Sequence, residues 1–213
     1  MKDLHIAIDL GSSSGRIVVG NSRKIEIVHR FFIGRERLFD SDFWDIIGIF
    51  SEIKKGLKLA FQRYGDNIVS IGIDSWGCDY GLLDKEGMLI APVYHYRDRR
   101  TDGAIEEVDK IIARERLYAS TGVAFQSYNS IYQLYRMKQQ HPESFAAARY
   151  MLNIPDLFAY FITGQIKRER THASTSALYN PSSKDWAWDV IDALGFPRYL
   201  FGELVSNGRS EER

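Results

Sequence analysis

The start of the chain constrains the fold most, because two apolar segments flank a short turn of glycine and serine. Leu4 to Leu10 is rich in isoleucine and ends at Gly11, and Arg16 to Gly20 contains three consecutive β-branched residues. β-Branched residues favour strands. The pattern predicts two strands joined by a tight polar turn.

Three further elements follow this pair. Lys24 to Phe31 alternates polar and apolar residues, as a half-exposed strand does. Asp42 is a plausible N-cap for a helix whose apolar residues recur at spacings of three and four from Ile46 to Tyr64, and Gly65 suits its C-terminal end. Ile68 to Asp74 is predicted as a fourth apolar strand.

A hairpin and then a helical region are predicted for the rest of the chain. Tyr80–Leu83 and Met88–Val93 flank a turn in which Gly87 supplies a positive φ. Helices are then predicted from a cap at Thr101 or Asp102 through Leu117, over Asn129–Gln140, from Pro155 to the terminator Gly164, and over Asp189–Leu194. The order predicts an α/β domain with the sheet of the actin and ribonuclease H type, over residues 1–205, followed by a polar tail at 206–213.

Composition excludes several classes of protein. Lys plus Arg and Asp plus Glu each number 28, so the formal net charge is zero, which argues against nucleic-acid binding through bulk charge. The single cysteine, Cys78, excludes a disulfide framework and a zinc cluster of several thiolates. Because the sequence shows no secretory signal or membrane-spanning run, we expect a cytoplasmic protein with neither nucleic acid nor membrane as partner.

The turn within Asp9–Arg16 carries the first candidate site. Gly11 and Gly15 permit unusual backbone conformations, and consecutive turn amides with three serine hydroxyls can form a nest for an anion. Asp9 ends a buried strand and could lie near a magnesium ion. The turn lacks the lysine of a P-loop. Taken alone, a tight polar hairpin with a solvated Asp9 explains the segment equally well.

A second candidate site follows the fourth strand, at Asp74–Asp79. Two carboxylates flank a Trp-Gly pair at the end of this strand, where open α/β sheets bind ligands. An aromatic ring beside carboxylates suits a sugar. A bulge with a core tryptophan is the structural alternative. Cys78 lacks a neighbouring histidine and is interpreted as a packing residue.

A charged cluster, Tyr96–Thr101, follows the predicted hairpin. Arginine donors and an aspartate acceptor could recognise a polyol. A solvated loop with exposed ion pairs, each contributing about 0–1 kcal/mol, explains the cluster as well.

In this order, the three segments resemble the N-terminal half of the FGGY carbohydrate kinases. Tyr128–Leu134 and Pro155-Asp156 with Thr163-Gly164 are also similar to that family, and the resemblance extends from about Leu4 to about Gly202. It implies an actin-like ATPase or ribonuclease H-like domain, with a mixed five-stranded sheet and flanking helices. The implied activity is ATP-dependent phosphorylation of a primary hydroxyl of a ketose such as L-rhamnulose.

The resemblance also implies roles for individual residues. Asp9 is expected near the magnesium ion and the transferred phosphate, and Gly77 is expected to contact the sugar. Trp76, Asp79 and Arg100 are further candidates for the sugar site. The residues expected at the ATP phosphates are Ser12, Ser13, Ser14, Gly15 and Arg16.

Two departures from the family pattern limit these expectations. Ala124–Ser127 differs from the family, which leaves the identity of the sugar open. Family members also have a second domain, with most of the adenine site and an aspartate base, and nothing after Gly202 resembles the loop that holds this base. We therefore expect the C-terminal domain to be absent from this chain and the chain alone to be inactive.

Several alternatives stay open. The chain could be a stand-alone, non-catalytic sugar-binding or regulatory module, an inactive remnant, or half of an enzyme completed by a separate chain. It could also be another ATPase of the actin and Hsp70 superfamily. A homo-oligomer is compatible with each of these readings.

Overall fold

The computed structural model describes residues 3–90, 92–206 and 208. The chain groups into two compact units, one of residues 1–36 and 44–76 and the other of residues 37–43 and 77–213. Of the predicted tail 206–213, only Ser206 and Gly208 lie within the described residues. The prediction of one domain over 1–205 stays a prediction.

The described elements begin with five strands and one helix, and helices predominate after Leu83. The strands are β1 (Leu4–Leu10), β2 (Ser14–Gly20), β3 (Ile25–Phe32), β4 (Arg35–Leu38), β5 (Ser41–Trp44), β6 (Ile68–Ser75), β7 (Tyr80–Leu83), β8 (Tyr150–Asn153), β9 (Tyr179–Asn180) and β10 (Asp185–Trp186). The helices are α1 (Ile46–Tyr64), α2 (Ala104–Asp109), α3 (Arg114–Thr121), α4 (Ser130–Gln140), α5 (Pro142–Ala147), α6 (Ile154–Thr163), α7 (Arg170–Ala173) and α8 (Trp188–Ala193). Short 3-10 turns cover Gly65–Asn67, Arg99–Thr101 and Arg198–Leu200.

The first unit is built on a four-stranded sheet with the order β3-β2-β1-β6. β1 pairs antiparallel with β2 and parallel with β6, so the sheet is mixed, as expected. It has one strand fewer than the five expected, within the residues described, because β7 pairs with β8 outside this sheet. The α/β class and the early strands of the sequence analysis are confirmed.

One face of this sheet forms the core of the first unit. Alternate residues of β1, including Ile6 and Ile8, are almost completely buried. Helix α1 packs closely on β2 and β3. A Cβ atom added at Gly56 of α1 would lie 2.2 Å from Cγ1 of Ile17. The glycine therefore sets the approach of the helix to the sheet.

The predicted N-cap of α1 is wrong. Asp45, three residues after Asp42, caps the helix, and its carboxylate accepts a hydrogen bond of 2.9 Å from the backbone of Gly48. Asp42 instead lies buried in strand β5, where its backbone N–H donates to Asp98 at 2.8 Å. Both aspartates fit the sequence pattern of an N-cap. The cap is the one whose side chain accepts a hydrogen bond from a free N–H in the first helical turn.

The second unit surrounds a separate apolar core. Its strands β7 and β8 pair antiparallel, and α4 contributes Ile131, Tyr132 and Leu134 to the buried cluster. The predicted helices over 129–140, 155–164 and 189–194 are confirmed within a residue or two. None of the helices in the described parts of the chain is long and apolar enough to cross a membrane.

Two predictions in this unit are corrected. The helix expected from Thr101 or Asp102 through Leu117 is divided into α2 and α3, and Gly103 stands at the N-cap of α2. Because the helix breaks at 110–113, Val108, Ile112 and Leu117 are all buried in one core. Burial of these side chains is favoured over a continuous helix.

The predicted strand Met88–Val93 is also wrong for its described residues. They form an isolated bridge at Leu89 and a hydrogen bond from the backbone of Ile90 to Leu82. The turn itself is confirmed, with a φ of 82° at Gly87.

Two buried ionisable side chains, Asp156 and Arg168, also lie in the second unit. Asp156 on α6 accepts a hydrogen bond of 3.1 Å from the backbone of Glu169, while its other carboxylate oxygen is buried without a hydrogen-bond partner. Burial raises the pKa of Asp156 to about 7, with the charge of Glu169 acting in the same direction and the Glu169 N–H and Arg168 opposing it. Burial likewise lowers the pKa of Arg168 to about 10.

We expect Gly56→Val to destabilise the chain by about 1–3 kcal/mol, because the added side chain overlaps Ile17. The exposed residue Lys58 on the same helix offers a matched control in Lys58→Val. Urea unfolding measures both variants. Equal losses would show that β-branching in the helix, and not the close packing, causes the effect.

Because of Asp156, the free energy of unfolding should decrease as the pH rises from about 4 to about 7. Its pKa is higher in the folded chain than in the unfolded chain, so the folded state binds more protons in this window. Asp156→Asn should reduce this slope in the free energy of unfolding between pH 5 and pH 7.5. Asp192→Asn serves as the control: Arg198 lowers the pKa of Asp192, so this carboxylate is ionised in the folded and the unfolded chain between pH 5 and pH 7.5 and adds no slope there. A slope unchanged by Asp156→Asn would contradict the assignment.

Candidate functional site

A row of four charged residues crosses the sheet of the first unit. Asp9 on β1 pairs in register with Arg16 on β2 and with Asp74 on β6. Arg16 in turn pairs with Arg30 on β3. Residues in register on neighbouring strands share a face, so two arginines and two aspartates lie side by side. This face is opposite to the one that carries Ile6 and Ile8.

Asp9 and Arg16 form an accessible ion pair. The guanidinium Nη2 of Arg16 lies 2.5 Å from Oδ2 of Asp9, and both side chains are more than one third exposed. An exposed pair of this kind contributes little to stability. Arg16 is therefore accessible to an anion from solvent, and Asp9 is accessible to a cation.

The β1–β2 turn lies at the end of this row. Gly11 closes the turn by donating a 3.0 Å hydrogen bond to the carbonyl of Ser14, and the carbonyl of Ser13 accepts from Ile33. Ser12 and Ser13 are exposed, and in the described chain their hydroxyls have no protein hydrogen-bond partner. A Cβ atom at Gly15 would lie 2.2 Å from the ring of Phe31, so only glycine fits there. The turn thus presents free donors to solvent beside Arg16.

The donor set of the row fits a magnesium ion. Asp9 and Asp74 supply carboxylate oxygens on adjacent strands, and magnesium binds one or two carboxylates together with water and phosphate oxygens. Among the described residues, no group of three or more His, Cys, Asp or Glu side chains could hold a metal alone. The arrangement therefore suits a cation that a phosphate helps to bind, and not a structural metal.

Trp76 follows β6 directly and packs on a second tryptophan. Its ring centroid lies 4.2 Å from that of Trp44, with an interplanar angle of 32°. Trp44 is buried and Trp76 is half-buried. One face of the Trp76 ring is therefore occupied by protein, and the indole is held in a fixed orientation.

Residues 77–79 belong to the second unit and have a constrained backbone. A Cβ atom at Gly77 would lie 2.7 Å from the hydroxyl of Thr175, and Cys78 has a φ of 76°. Thr175 also accepts a 3.3 Å hydrogen bond from the N–H of Cys78. The glycine is thus required by a contact within the protein. Burial, and then the charge of Asp79, raises the pKa of Cys78 to about 11, so the thiol stays protonated at neutral pH.

Gln133 on α4 connects this segment to Arg100. Its amide nitrogen donates to Asp79 at 2.7 Å, and its amide oxygen accepts from Arg100 at 2.8 Å. These two bonds fix the orientation of the amide. Asp79 is fully buried and also accepts from the backbone of Tyr96 at 3.2 Å.

Arg100 is nearly buried in the same network. Its guanidinium lies 3.9 Å from the ring centroid of Tyr94, and it donates a second bond of 2.8 Å to the carbonyl of Gln133. Asp98 lies 3.7 Å from its Nε. Arg100 and Asp79 therefore have protein partners for most of their polar atoms.

The structure thus separates the sequence-predicted residues into three environments. The first unit brings together Asp9, the serines, Gly15 and Arg16 at one end of its sheet, and Trp76, which follows β6 at that same end, packs on Trp44. Gly77, Asp79 and Arg100 share one hydrogen-bonded region of the second unit. Their roles as ligands stay predictions.

Sequence reasoning missed two residues of these environments, Arg30 and Gln133. It named Asp74 in the second candidate site, but only strand register shows that Asp74 lies beside Asp9. Arg30 also enters the charged row through register, and the alternation of β3 was the sole available signal for it. Gln133 is buried on the helix α4, where the sequence pattern gives no sign of a polar contact.

Comparison with known proteins places this geometry in a family. Residues 4–211 match the N-terminal domain of the FGGY family of carbohydrate kinases. The chain belongs to this family. The resemblance stated from the three sequence segments is therefore confirmed.

Curated relatives of this chain include rhamnulokinases from several bacteria. The rhamnulokinase of Halalkalibacterium halodurans is 44% identical over 205 residues, which cover 93% of this chain and 43% of that protein. That of Mannheimia succiniciproducens is 37% identical over 211 residues, which cover 95% of this chain and 43% of that protein. The chain thus spans less than half the length of these relatives.

Solved structures of sugar kinases share the fold. A gluconate kinase from Lactobacillus acidophilus matches with a TM-score of 0.87 at 16% identity, covering 96% of this chain and 42% of that one. A glycerol kinase from Plasmodium falciparum with ADP matches with a TM-score of 0.77 at 18% identity, covering 95% of this chain and 43% of that one. At these identities the likeness confirms the actin-like fold alone.

We expect Asp79→Asn to destabilise the chain by about 1–3 kcal/mol. Gln133 donates a hydrogen bond to the carboxylate, and the NH2 group of the new side chain would place a donor against that donor and leave a buried N–H unpaired. Asp102→Asn is the control, since Asp102 is exposed and pairs only with Arg99 at the surface. Thermal unfolding compares the two variants. Equal stability of both would show that the buried network contributes nothing.

Proposed function

We propose that this chain is the sugar- and phosphate-facing domain of an ATP-dependent carbohydrate kinase. The reaction is transfer of the γ-phosphoryl group of ATP to a primary hydroxyl of a ketose similar to L-rhamnulose. The observation that carries the proposal is the charged row beside the serine turn, found in a chain up to 44% identical to rhamnulokinases. Because ATP is the donor, the proposed location is the cytoplasm.

The serine turn is the proposed phosphate-binding element. Backbone amides and the hydroxyls of Ser12, Ser13 and Ser14 supply donors, and Arg16 supplies a positive charge beside them. Gly15, at the start of β2, leaves room for the ring of Phe31 beside the turn. Positioned donors of this kind stabilise the charge that develops on a transferring phosphoryl group.

Asp9 and Asp74 are the proposed magnesium-binding pair. A magnesium ion bound there with ATP neutralises phosphate charge and orients the donor. The contribution of the protein is to hold the two carboxylates at adjacent register positions of rigid strands. Arg16, which pairs with Asp9 in this structure, would supply a positive charge to the phosphates.

The sugar is proposed to contact Trp76 and Gly77. The indole of Trp76, held by Trp44, offers an apolar edge for the C–H groups of a sugar. Asp79 and Arg100 are buried, so we assign them the role of holding the backbone at 77–79 and not of touching the sugar.

Turnover is proposed to require an aspartate base from a C-terminal kinase domain. A sugar hydroxyl is a weak nucleophile, and a positioned base contributes roughly 10²–10⁴-fold. The sequence motifs that match the family do not include this base. The chain of 213 residues alone should therefore show negligible kinase turnover.

The test uses the protein expressed from the complete reading frame that contains this sequence. We expect L-rhamnulose-dependent ADP release, and Asp9→Asn should lower kcat by roughly 10²–10³-fold while sugar affinity changes little. The control is Asp66→Asn at an exposed turn of the same unit. ADP release insensitive to Asp9→Asn would contradict the role of the charged row.

Sugar binding without any turnover of ATP would contradict the kinase proposal. It would favour a stand-alone sugar-binding or regulatory module. Isothermal titration of the same protein with L-rhamnulose distinguishes these outcomes, because it reports binding without chemistry.

A further inference from the structure

Cys78 follows Gly77 directly, and its backbone takes a conformation that residues with side chains rarely adopt. Its φ is 76°, in the left-handed region. This region is disfavoured for a residue with a Cβ atom, because the Cβ atom comes too close to the following carbonyl oxygen. Such a residue persists only where its surroundings hold it, and residues of this kind cluster at ligand-binding segments. The contacts that hold Cys78 therefore also determine the path of the backbone through Gly77.

Two hydroxyl groups hold the peptide groups of Cys78. Its N–H donates to the Thr175 hydroxyl at 3.3 Å, and its carbonyl accepts from the Ser130 hydroxyl at 2.6 Å. The amide nitrogen of Gln133 donates to the same carbonyl at 3.3 Å. Ser130 begins helix α4 and is fully buried, while Thr175 follows helix α7. Cys78 is thus held from two separate elements of the second unit.

The Thr175 hydroxyl is itself fixed in orientation. It donates its hydrogen to the carbonyl of His172 at 2.9 Å, so only its lone pairs remain for the N–H of Cys78. The next residue, Ser176, is fully buried, and its carbonyl accepts a 3.1 Å hydrogen bond from the backbone of Ile131 on α4. The acceptor that holds Cys78 is therefore anchored to the core of this unit.

Gly77 differs from Cys78 because its own peptide groups are free. Within the described chain, neither its N–H nor its carbonyl has a protein hydrogen-bond partner, although the residue is half-buried. The Thr175 hydroxyl also occupies the space beside it, since a Cβ atom at Gly77 would lie 2.7 Å from that oxygen. A bare peptide offers one donor and one acceptor, and a sugar hydroxyl can pair with either.

We propose that Thr175 and Ser130 are positioning residues for the sugar, which hold the Cys78 peptide so that the free N–H and carbonyl of Gly77 bind hydroxyls of the ketose. This inference rests on the proposed function, which supplies the sugar as ligand. Both hydroxyls act through the backbone and are not themselves ligands. Hydrogen bonds weaken steeply when their angles are poor, so recognition by a peptide group needs one fixed orientation. Loss of either hydroxyl should therefore weaken sugar binding more than it slows phosphoryl transfer.

The first test removes the Thr175 hydroxyl from the protein expressed from the complete reading frame. Thr175→Val keeps the branched shape, and isothermal titration with L-rhamnulose should give a Kd about 10-fold higher, as expected for the loss of one hydrogen bond. Thr175→Ser keeps the hydroxyl and should bind within about 3-fold of the unmodified protein. The matched control is Thr171→Val on α7, which removes a hydroxyl that bonds Glu169 instead.

Steady-state kinetics separates positioning from a merely structural role. Thr175→Val should raise the KM for the sugar about 10-fold, while the KM for ATP and kcat at saturating sugar change less than about 3-fold. A merely structural role would lower the fraction of active enzyme, and hence kcat, without changing the KM for the sugar. Ser130→Ala removes the second hydroxyl and should also raise this KM, which keeps the proposal testable if Thr175→Val does not fold.

Several outcomes would overturn the proposal and leave the proposed function intact. One is an unchanged Kd for the sugar in both Thr175→Val and Ser130→Ala. Another is an equal rise in Thr171→Val, which would assign the effect to the stability of the segment. Binding by Thr175→Ser as weak as that by Thr175→Val would show that the hydroxyl is not the cause. An unmodified protein that neither binds the sugar nor releases ADP with it would overturn the proposed function, and this inference with it.

Discussion

The central position of β1 in the first sheet is the constraint on which the candidate site depends. β1 is held antiparallel by β2 and parallel by β6, and these two registers together bring Arg16, Asp9 and Asp74 into one row. The opposite residues of β1 are buried in the core, so a one-residue slip would move the apolar residues to solvent and the carboxylate into the core. Burial of the core face therefore fixes the charges on the other face.

The sequence alone was sufficient for the elements whose local pattern matches their burial. β1, β2 and α1 alternate or repeat in the way that their buried faces require, and their bounds were predicted within a few residues. The failures have a different cause. The helix from Asp102 to Leu117 breaks because several buried residues must reach one core, and the cap of α1 depends on which aspartate reaches a free N–H.

The residues of the candidate site also divide into those that the sequence could predict and those that it could not. The serine turn and Asp9 are adjacent in sequence, so their proximity was predictable from the motif. Arg30 and Gln133 were not predictable, because strand register and the packing of a helix bring them into place over long separations in sequence. The burial of Asp79 and Arg100 was also not predictable from the sequence. The same cluster of charged residues occurs in solvated loops and in buried networks whose polar groups are all hydrogen-bonded.

We propose that this chain belongs to an enzyme that transfers a phosphoryl group from ATP to a ketose. Phosphorus NMR of the protein from the complete reading frame, mixed with ATP, magnesium and L-rhamnulose, tests it most directly. We expect a new phosphomonoester signal that appears together with ADP and only when the sugar is present. ATP that stays intact with sugar present, or inorganic phosphate formed without any sugar phosphate, would contradict it.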